Sequence, residues 1–269
     1  MSRLPCSLLL LAWLWLPAAL PAASELPELE IEPAQRLAAA AELVLERQRW
    51  RLGNSAGWAW RAQVPRGSPV QVRAAPRATA FAELLPEDSG PWVAVNGGFY
   101  DADRGPMGLV IANGEILSSL RRAGGSGFFE LRDGWPRILH HSAYQPGATQ
   151  ALLSIDRIVA EGRSLVARRA DARIAARAAV ALSAESLWLV LIAGDELLPA
   201  LGASTTLHSA ASRGLPLWAL AEYLVSALGA GDALNLDGSV SAQMAARIGD
   251  YELRIQGLGS TVNALVVRP

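Results

Sequence analysis

Lysine is missing from this 269-residue sequence: all 24 basic residues are arginine. That excludes a Schiff-base lysine and a phosphate-loop lysine. It also leaves arginine as the only fixed cation for an anionic ligand, and its planar fork suits phosphate or carboxylate. Cysteine is nearly missing too. The only one, Cys6, lies before an apolar run rather than after it, so it does not read as a lipid-attachment site. A chain that lost its first residues would keep no disulfide, thiol nucleophile or thiolate ligand. Histidine occurs three times, at His140, His141 and His208. None sits beside a serine motif, which disfavours a Ser-His-Asp hydrolase. Dinucleotide, Walker, H-E-x-x-H and G-x-S-x-G patterns are all absent. The formal net charge is −1, so no broad basic field argues for nucleic acid or an anionic membrane.

What is present argues for a folded, exported protein. Hydrophobic residues make up 51% and charged residues 18%, which excludes a disordered chain. The length allows one large domain with a substantial core. Residues 1–24 read as a signal peptide: Arg3 at the start, an apolar run over Leu8–Leu16, then a small-residue region with cleavage expected near Ala22–Ser24. The run is short for a spanning helix, so no stable membrane anchor is expected after cleavage. An exported chain without disulfides points to a bacterial periplasm or secreted fraction.

The stretch Asp232–Met244 stands out. Leu234 and Leu236 alternate as in a short strand, which breaks at Asp237-Gly238. An Asp caps its own backbone there, and Gly238 is expected to take positive φ. Asn235, Asp237, Ser239 and Ser241 crowd that strand end. A second cluster follows the apolar run Trp92–Val95: Asn96-Gly97-Gly98-Phe99-Tyr100-Asp101. Two consecutive glycines allow positive φ and close approach of the backbone to a ligand. Arg177 lies in an otherwise apolar run, Ala175–Val180, where an arginine snorkels, meets an anion or sits on the solvent face of an edge strand. Asp101–Gly105 begins like a calcium loop but lacks the later glutamate. His140 and His141 would face opposite ways in a strand, so a surface reading is favoured over a metal pair.

The remaining signals are local. Residues 25–33 read as a linker, and residues 34–51 as an amphipathic helix or, in their second half, a strand. Trp58–Val64 and Pro69–Arg73 read as strands around a turn, and Thr79–Leu85 as a short helix. Asn113-Gly114 and Asp133-Gly134 mark two hairpins. Arg173–Leu182 and Ser186–Ile192 pair around a turn, while Thr149–Val159 gives no clear signal. Pro216–Leu228 is the clearest helix, with Pro216 placed at its first position, Gly229 just past its end and a leucine stripe between. Ala264–Val267 forms a last strand. The sum predicts α+β: a single domain with a large mixed, mostly antiparallel twisted sheet flanked by a few helices, over residues 57–269.

The sequence resembles the phosphodiester glycosidases from about Trp58 onward. Val95–Asp101 is similar to the family's N-G-G-F-[FY]-D segment, and Gly105–Gly114 to its P-x-G-L-x-I-x-x-G segment. Arg177–Val180 falls where the family carries R-[TS]-A-[VI], although Ala178 replaces the usual Thr or Ser. Ala233–Gly238, after the helix, resembles L-N-L-D-G-G-G-S, and Val262–Leu265 the closing V-x-N-A-L. After Gly238 the family's glycines are replaced by Ser239 and Val240. That removes conformational freedom and adds side chains where a substrate would approach.

The resemblance implies hydrolysis of a sugar-1-phosphodiester at the anomeric C–O bond; no cofactor or metal is expected. The implied catalytic residues are Asp237 as nucleophile or base, Arg177 as the phosphate-binding cation and Asp101 as a second carboxylate to test. Asn96, Gly97, Gly98, Asn235, Gly238, Ser239 and Ser241 would bind substrate. The expected partner is a phosphodiester-linked carbohydrate of the cell envelope or exterior. The altered glycine loop also motivates a non-catalytic glycan-binding or envelope-assembly protein on the same scaffold. An acyl hydrolase using Ser239 is a weaker third reading, because no histidine lies near these motifs.

Overall fold

The computed structural model describes residues 26–120, 126–195, 204–208 and 213–269. The expected signal segment, residues 1–24, lies outside the described residues. The first strands are β1 (Leu29–Ile31), β2 (Gln35–Ala40), β3 (Leu43–Leu52), β4 (Ser55–Pro65) and β5 (Val70–Thr79). A 3-10 turn at Phe81–Leu84 leads to β6 (Trp92–Asn96). Two hairpins follow, β7 (Val110–Ala112) with β8 (Glu115–Ser118), and β9 (Gly127–Arg132) with β10 (Trp135–His140). Next come β11 (Gln150–Ser154), β12 (Asp156–Ala160), β13 (Arg163–Ser164), β14 (Arg177–Leu182), β15 (Ser186–Gly194) and β16 (Ser204–His208). Helix α1 (Leu217–Leu228) precedes β17 (Asp232–Asn235), followed by β18 (Met244–Ile248), β19 (Tyr251–Gln256) and β20 (Thr261–Val267).

These strands build three sheets. The largest has the order β1-β3-β4-β15-β14-β17-β12-β13, with β2 also paired to β3. The second runs β16-β19-β18-β6-β20-β5, and the third β10-β9-β11-β7-β8. Every pairing is antiparallel except β16 with β19. With α1 the only α-helix among the described residues, the architecture is close to all-β rather than the expected α+β.

The main core lies between sheets. Ala178, Val180 and Leu182 of β14 enter it with Leu189 and Leu191 of β15, Val93 and Val95 of β6, and Leu265 and Val267 of β20. The alternate residues Ala179 and Ala181 face the other way, under α1. Both faces of β14 are therefore covered, so its sequence reads as one apolar run without alternation. Small alanines on that face leave room for Trp218, Leu220, Tyr223 and Leu224 of the helix. The Tyr223 hydroxyl donates to Gln48 Oε1 at 2.8 Å, and Arg61 reaches the same oxygen at 2.8 Å and Glu46 at 2.9 Å. This buried network ties the helix to β3 and β4.

Several local expectations change. Residues 34–51 form the β2–β3 hairpin: the strand alternative holds for the second half and the helix reading fails for the first, because β3 pairs with β4 from Val44–Gln63 to Leu52–Ser55 and buries alternate side chains. Leu29–Ile31, read as linker, is a strand paired with β3. The strands β4 and β5 exist but do not pair with each other; Pro65–Ser68 carries the chain from the largest sheet to the second. Thr79–Leu85 shrinks to the 3-10 turn. Pro216 caps the helix from outside, with ψ 156°, rather than occupying its first turn, while Gly229 ends it at φ 63° as expected. The His140 and His141 rings lie 4.3 Å apart instead of facing opposite ways, because the strand ends at His140.

Candidate active site

Three separate chain segments meet at the end of β17. Asn235 is the strand's last residue, and Leu236 still donates to the Ala178 carbonyl at 2.8 Å. Asp237 then crosses to the second sheet. Its N–H donates to the Gly97 carbonyl at 2.9 Å, and its own carbonyl accepts from Asn96 Nδ2 at 2.7 Å. The loop is thereby clamped to the end of β6. The resulting cleft, of about 330 Å³, is lined by Phe99, Tyr100, Arg173, Arg177, Asn235 and Asp237, together with Ala175 and Gly238–Ser241. Six of the residues expected at the site thus line it: Arg177, from a distant strand, and Asn235, Asp237, Gly238, Ser239 and Ser241.

Asp237 is the chemically loaded group. Burial pushes its carboxyl up to about 6, against hydrogen bonds from Ser241 and the Gly238 N–H that favour the ionised form. A carboxylate with that affinity for protons is basic enough to take one and ionised enough at neutral pH to attack. Arg177 is half-buried at the first position of β14, an interior strand rather than an edge. Its Nε donates to the Leu215 carbonyl at 2.9 Å and one Nη to the Arg173 carbonyl at 2.7 Å. Burial first, and then the neighbouring Arg173, lower its guanidinium to about 10, opposed by Asp156. It remains a cation at neutral pH. The acid that acts on Arg177 is therefore Asp156.

Asp156 was not singled out in the sequence; it stands in a stretch without a clear periodic signal. In the sheet it is the cross-strand partner of Asn235, which in turn faces Ala179, two residues along from Arg177. Directly opposed residues share a face, so Asp156, Asn235 and Arg177 point the same way. Burial raises the Asp156 carboxyl above its usual range, with Arg177 opposing. The Asn235 side-chain oxygen is buried and meets no donor among the described residues. Leaving such an acceptor without a donor costs about 1–3 kcal/mol.

Other expected site residues serve the scaffold. Asn96 is fully buried, and both ends of its amide are occupied, Nδ2 by Asp237 and Oδ1 by the Gln243 N–H at 2.9 Å. It positions the loop rather than meeting a ligand. Gly97 and Gly98 are not at positive φ. They are required because a Cβ would lie 1.9 Å from Asn263 Oδ1 at Gly97 and 2.4 Å from the Leu153 carbonyl at Gly98. Asn263, unassigned in the sequence, accepts from the Gly98 N–H at 2.7 Å. Asp101 does not line the cleft. One of its carboxylate oxygens accepts from the Asp103 and Gly105 N–H groups at 3.1 and 3.0 Å, closing its own loop.

The altered glycine loop has a specific geometry. Gly238 is extended, at φ −120°, and the positive φ expected there falls instead on Ser239, at 59°. A Cβ on Gly238 would come within 2.8 Å of the Ala176 carbonyl. Ser239 therefore holds a backbone conformation that glycine adopts freely, at a cost of about 1–2 kcal/mol. Its Oγ accepts from Arg173 at 3.3 Å. Val240 follows at the rim, exposing a large apolar side chain.

Comparison with known proteins bears on the family and the fold. A family model for phosphodiester glycosidase matches residues 89–267. No curated protein sequence matches the chain. Among solved structures, the zebrafish N-acetylglucosamine-1-phosphodiester alpha-N-acetylglucosaminidase catalytic domain, auto-inhibited by pro-peptide, is similar with a TM-score of 0.58 at 17% identity, over 92% of this chain and 85% of that one. A hypothetical protein from Synechocystis gives a TM-score of 0.60 at 14% identity, over 88% of this chain and 64% of that one. These likenesses concern the fold.

Proposed function

Since the chain belongs to the phosphodiester glycosidase family, we propose that it hydrolyses a sugar-1-phosphodiester at the anomeric C–O bond. The observation that carries this reading is one cleft holding a desolvated carboxylate, Asp237, beside the arginines Arg177 and Arg173. In the reaction Asp237 attacks the anomeric carbon, forming a glycosyl ester that water then hydrolyses, or takes a proton from the water that attacks directly. The C–O bond to phosphate breaks, and its electron pair leaves with the phosphate monoester. Arg177 stabilises the charge that collects there, held in place by the Leu215 and Arg173 carbonyls. A phosphate monoester leaves readily, so the reaction makes little demand on a general acid. The Ser241 hydroxyl hydrogen-bonds Asp237 and orients it.

The proposed setting is the bacterial periplasm or the exterior, with a cell-envelope or extracellular glycan as substrate. The signal-like start of the sequence, Arg3 followed by Leu8–Leu16, supports it. No helix among the described residues is long and apolar enough to cross a membrane.

The test offers the purified chain a panel of sugar-1-phosphate diesters and measures released reducing sugar. Turnover that falls about 10²–10⁴-fold in Asp237→Ala, and about 10²-fold in Arg177→Ala, supports the reading. Unchanged turnover in both variants refutes the assignment of the site. Glycan binding with no turnover of any diester would favour the non-catalytic alternative.

A further inference from the structure

Asp156 has no role in the reaction as drawn above, yet the sheet brings it to the same face as Arg177. Its carboxylate makes no hydrogen bond and closes no ion pair among the described residues. On the adjacent strand, directly opposite, Asn235 is 4% exposed and its buried side-chain oxygen has no donor among the described residues. Asn235 lines the cleft. Two acceptors without donors therefore stand side by side on neighbouring strands, with backbones roughly 5 Å apart. Acceptors so placed call for a ligand that presents two donors.

We infer that Asp156 and Asn235 form a sugar-binding subsite that accepts hydrogen bonds from adjacent hydroxyls of the glycosyl group. The inference rests on the proposed function for which end of the substrate lies there. Three considerations select a neutral polyol. Phosphate offers acceptors and negative charge, and would be repelled by the Asp156 carboxylate. A metal cation would be opposed by Arg177, whose charge already acts on Asp156. Apolar groups would leave both acceptors unmatched. The substrate is thereby oriented, with its sugar toward β12 and its phosphate toward Arg177 and Arg173 on the β14 side. The anomeric carbon between them then lies toward Asp237, which follows Asn235 by two residues.

Binding measured separately for the two halves of the substrate tests this. The probes are methyl glycosides of glucose, mannose, galactose and N-acetylglucosamine on one side and inorganic phosphate on the other, followed by NMR titration of the full chain. Asp156→Asn is expected to weaken the best glycoside about tenfold or more, while phosphate binds equally well or more tightly. Arg177→Ala is expected to do the reverse. Asp156→Ala, checked for an unchanged unfolding temperature, should repeat the glycoside loss. Unchanged glycoside affinity in both Asp156 variants overturns the subsite, as does weakening of phosphate alone, or no binding of any of the four glycosides. Asp156-dependent glycoside binding without turnover of any diester would uphold the subsite while refuting the hydrolase reading.

Discussion

Replacing Asp237 by asparagine should make the protein inactive and, at neutral pH, more stable. The carboxyl sits at about 6 instead of its usual 3.8, because burial penalises the charged form more than Ser241 and the Gly238 N–H favour it. At about 1.4 kcal/mol per pH unit, that difference corresponds to about 3 kcal/mol. The sign follows from which form the fold prefers. The raised value means the folded state favours the protonated acid. Its contribution to stability is fully present below 3.8 and is lost as pH rises through about 6. An asparagine of the same shape carries no such loss. Asp237→Asn should therefore match the natural chain below about pH 4 and exceed it by about 2–3 kcal/mol at pH 7–8. Urea unfolding at a series of pH values measures the difference directly, since other ionisable groups are common to both proteins. The activity limb is the counterpart. The ionised fraction falls from roughly nine-tenths at pH 7 to roughly one-tenth at pH 5, so kcat/KM should drop about tenfold across that range. A stability gap independent of pH, or a limb near 4, would refute the argument that Asp237 is desolvated in the folded chain.

Other expectations concern the scaffold around this carboxylate. Asn96→Ala removes a donor and an acceptor that are both buried and paired, and should cost about 2–4 kcal/mol of unfolding free energy in urea. Gly97→Ala places a Cβ 1.9 Å from Asn263 Oδ1, and should lower the unfolding temperature severely or abolish soluble folding. At position 239 the φ of 59° makes glycine the better residue than alanine: Ser239→Gly should be more stable than Ser239→Ala by about 1 kcal/mol, both having lost the contact to Arg173.

Much of the fold was legible where a local rule decides the outcome. Asn113-Gly114 and Asp133-Gly134 are two-residue turns with all four residues at positive φ, as their side chains require. Gly229 ends α1, and the leucines of that helix face the sheet. Rules of this kind failed where neighbours outvoted propensity. The alanines and arginines of residues 34–51 favour a helix in isolation, yet β3 is held by nine residues of pairing partners in β4 and by burial of Leu43, Leu45 and Trp50. The short strands β1, β12 and β13 carry no periodic signal long enough to detect, and exist because β3, β17 and β12 respectively receive them.

For the candidate site, the sequence by itself determined the residue types: arginine as the only cation, Asp237 in a strand-to-loop break, and Ser239-Val240 where the family places glycine. The tertiary structure decided what each of them does. Antiparallel register set Asp156 opposite Asn235 and on the face of Arg177, across 79 positions of chain that no local pattern connects. Close packing turned Gly97 and Gly98 from ligand contacts into spacers against Asn263 and Leu153. The loop after β17 moved the positive φ from Gly238 to Ser239. Burial alone lifted Asp237 toward neutrality. Residue identity is written along the chain, but desolvation and the pairing of distant strands belong to the folded molecule, and these two effects made a site out of the motif.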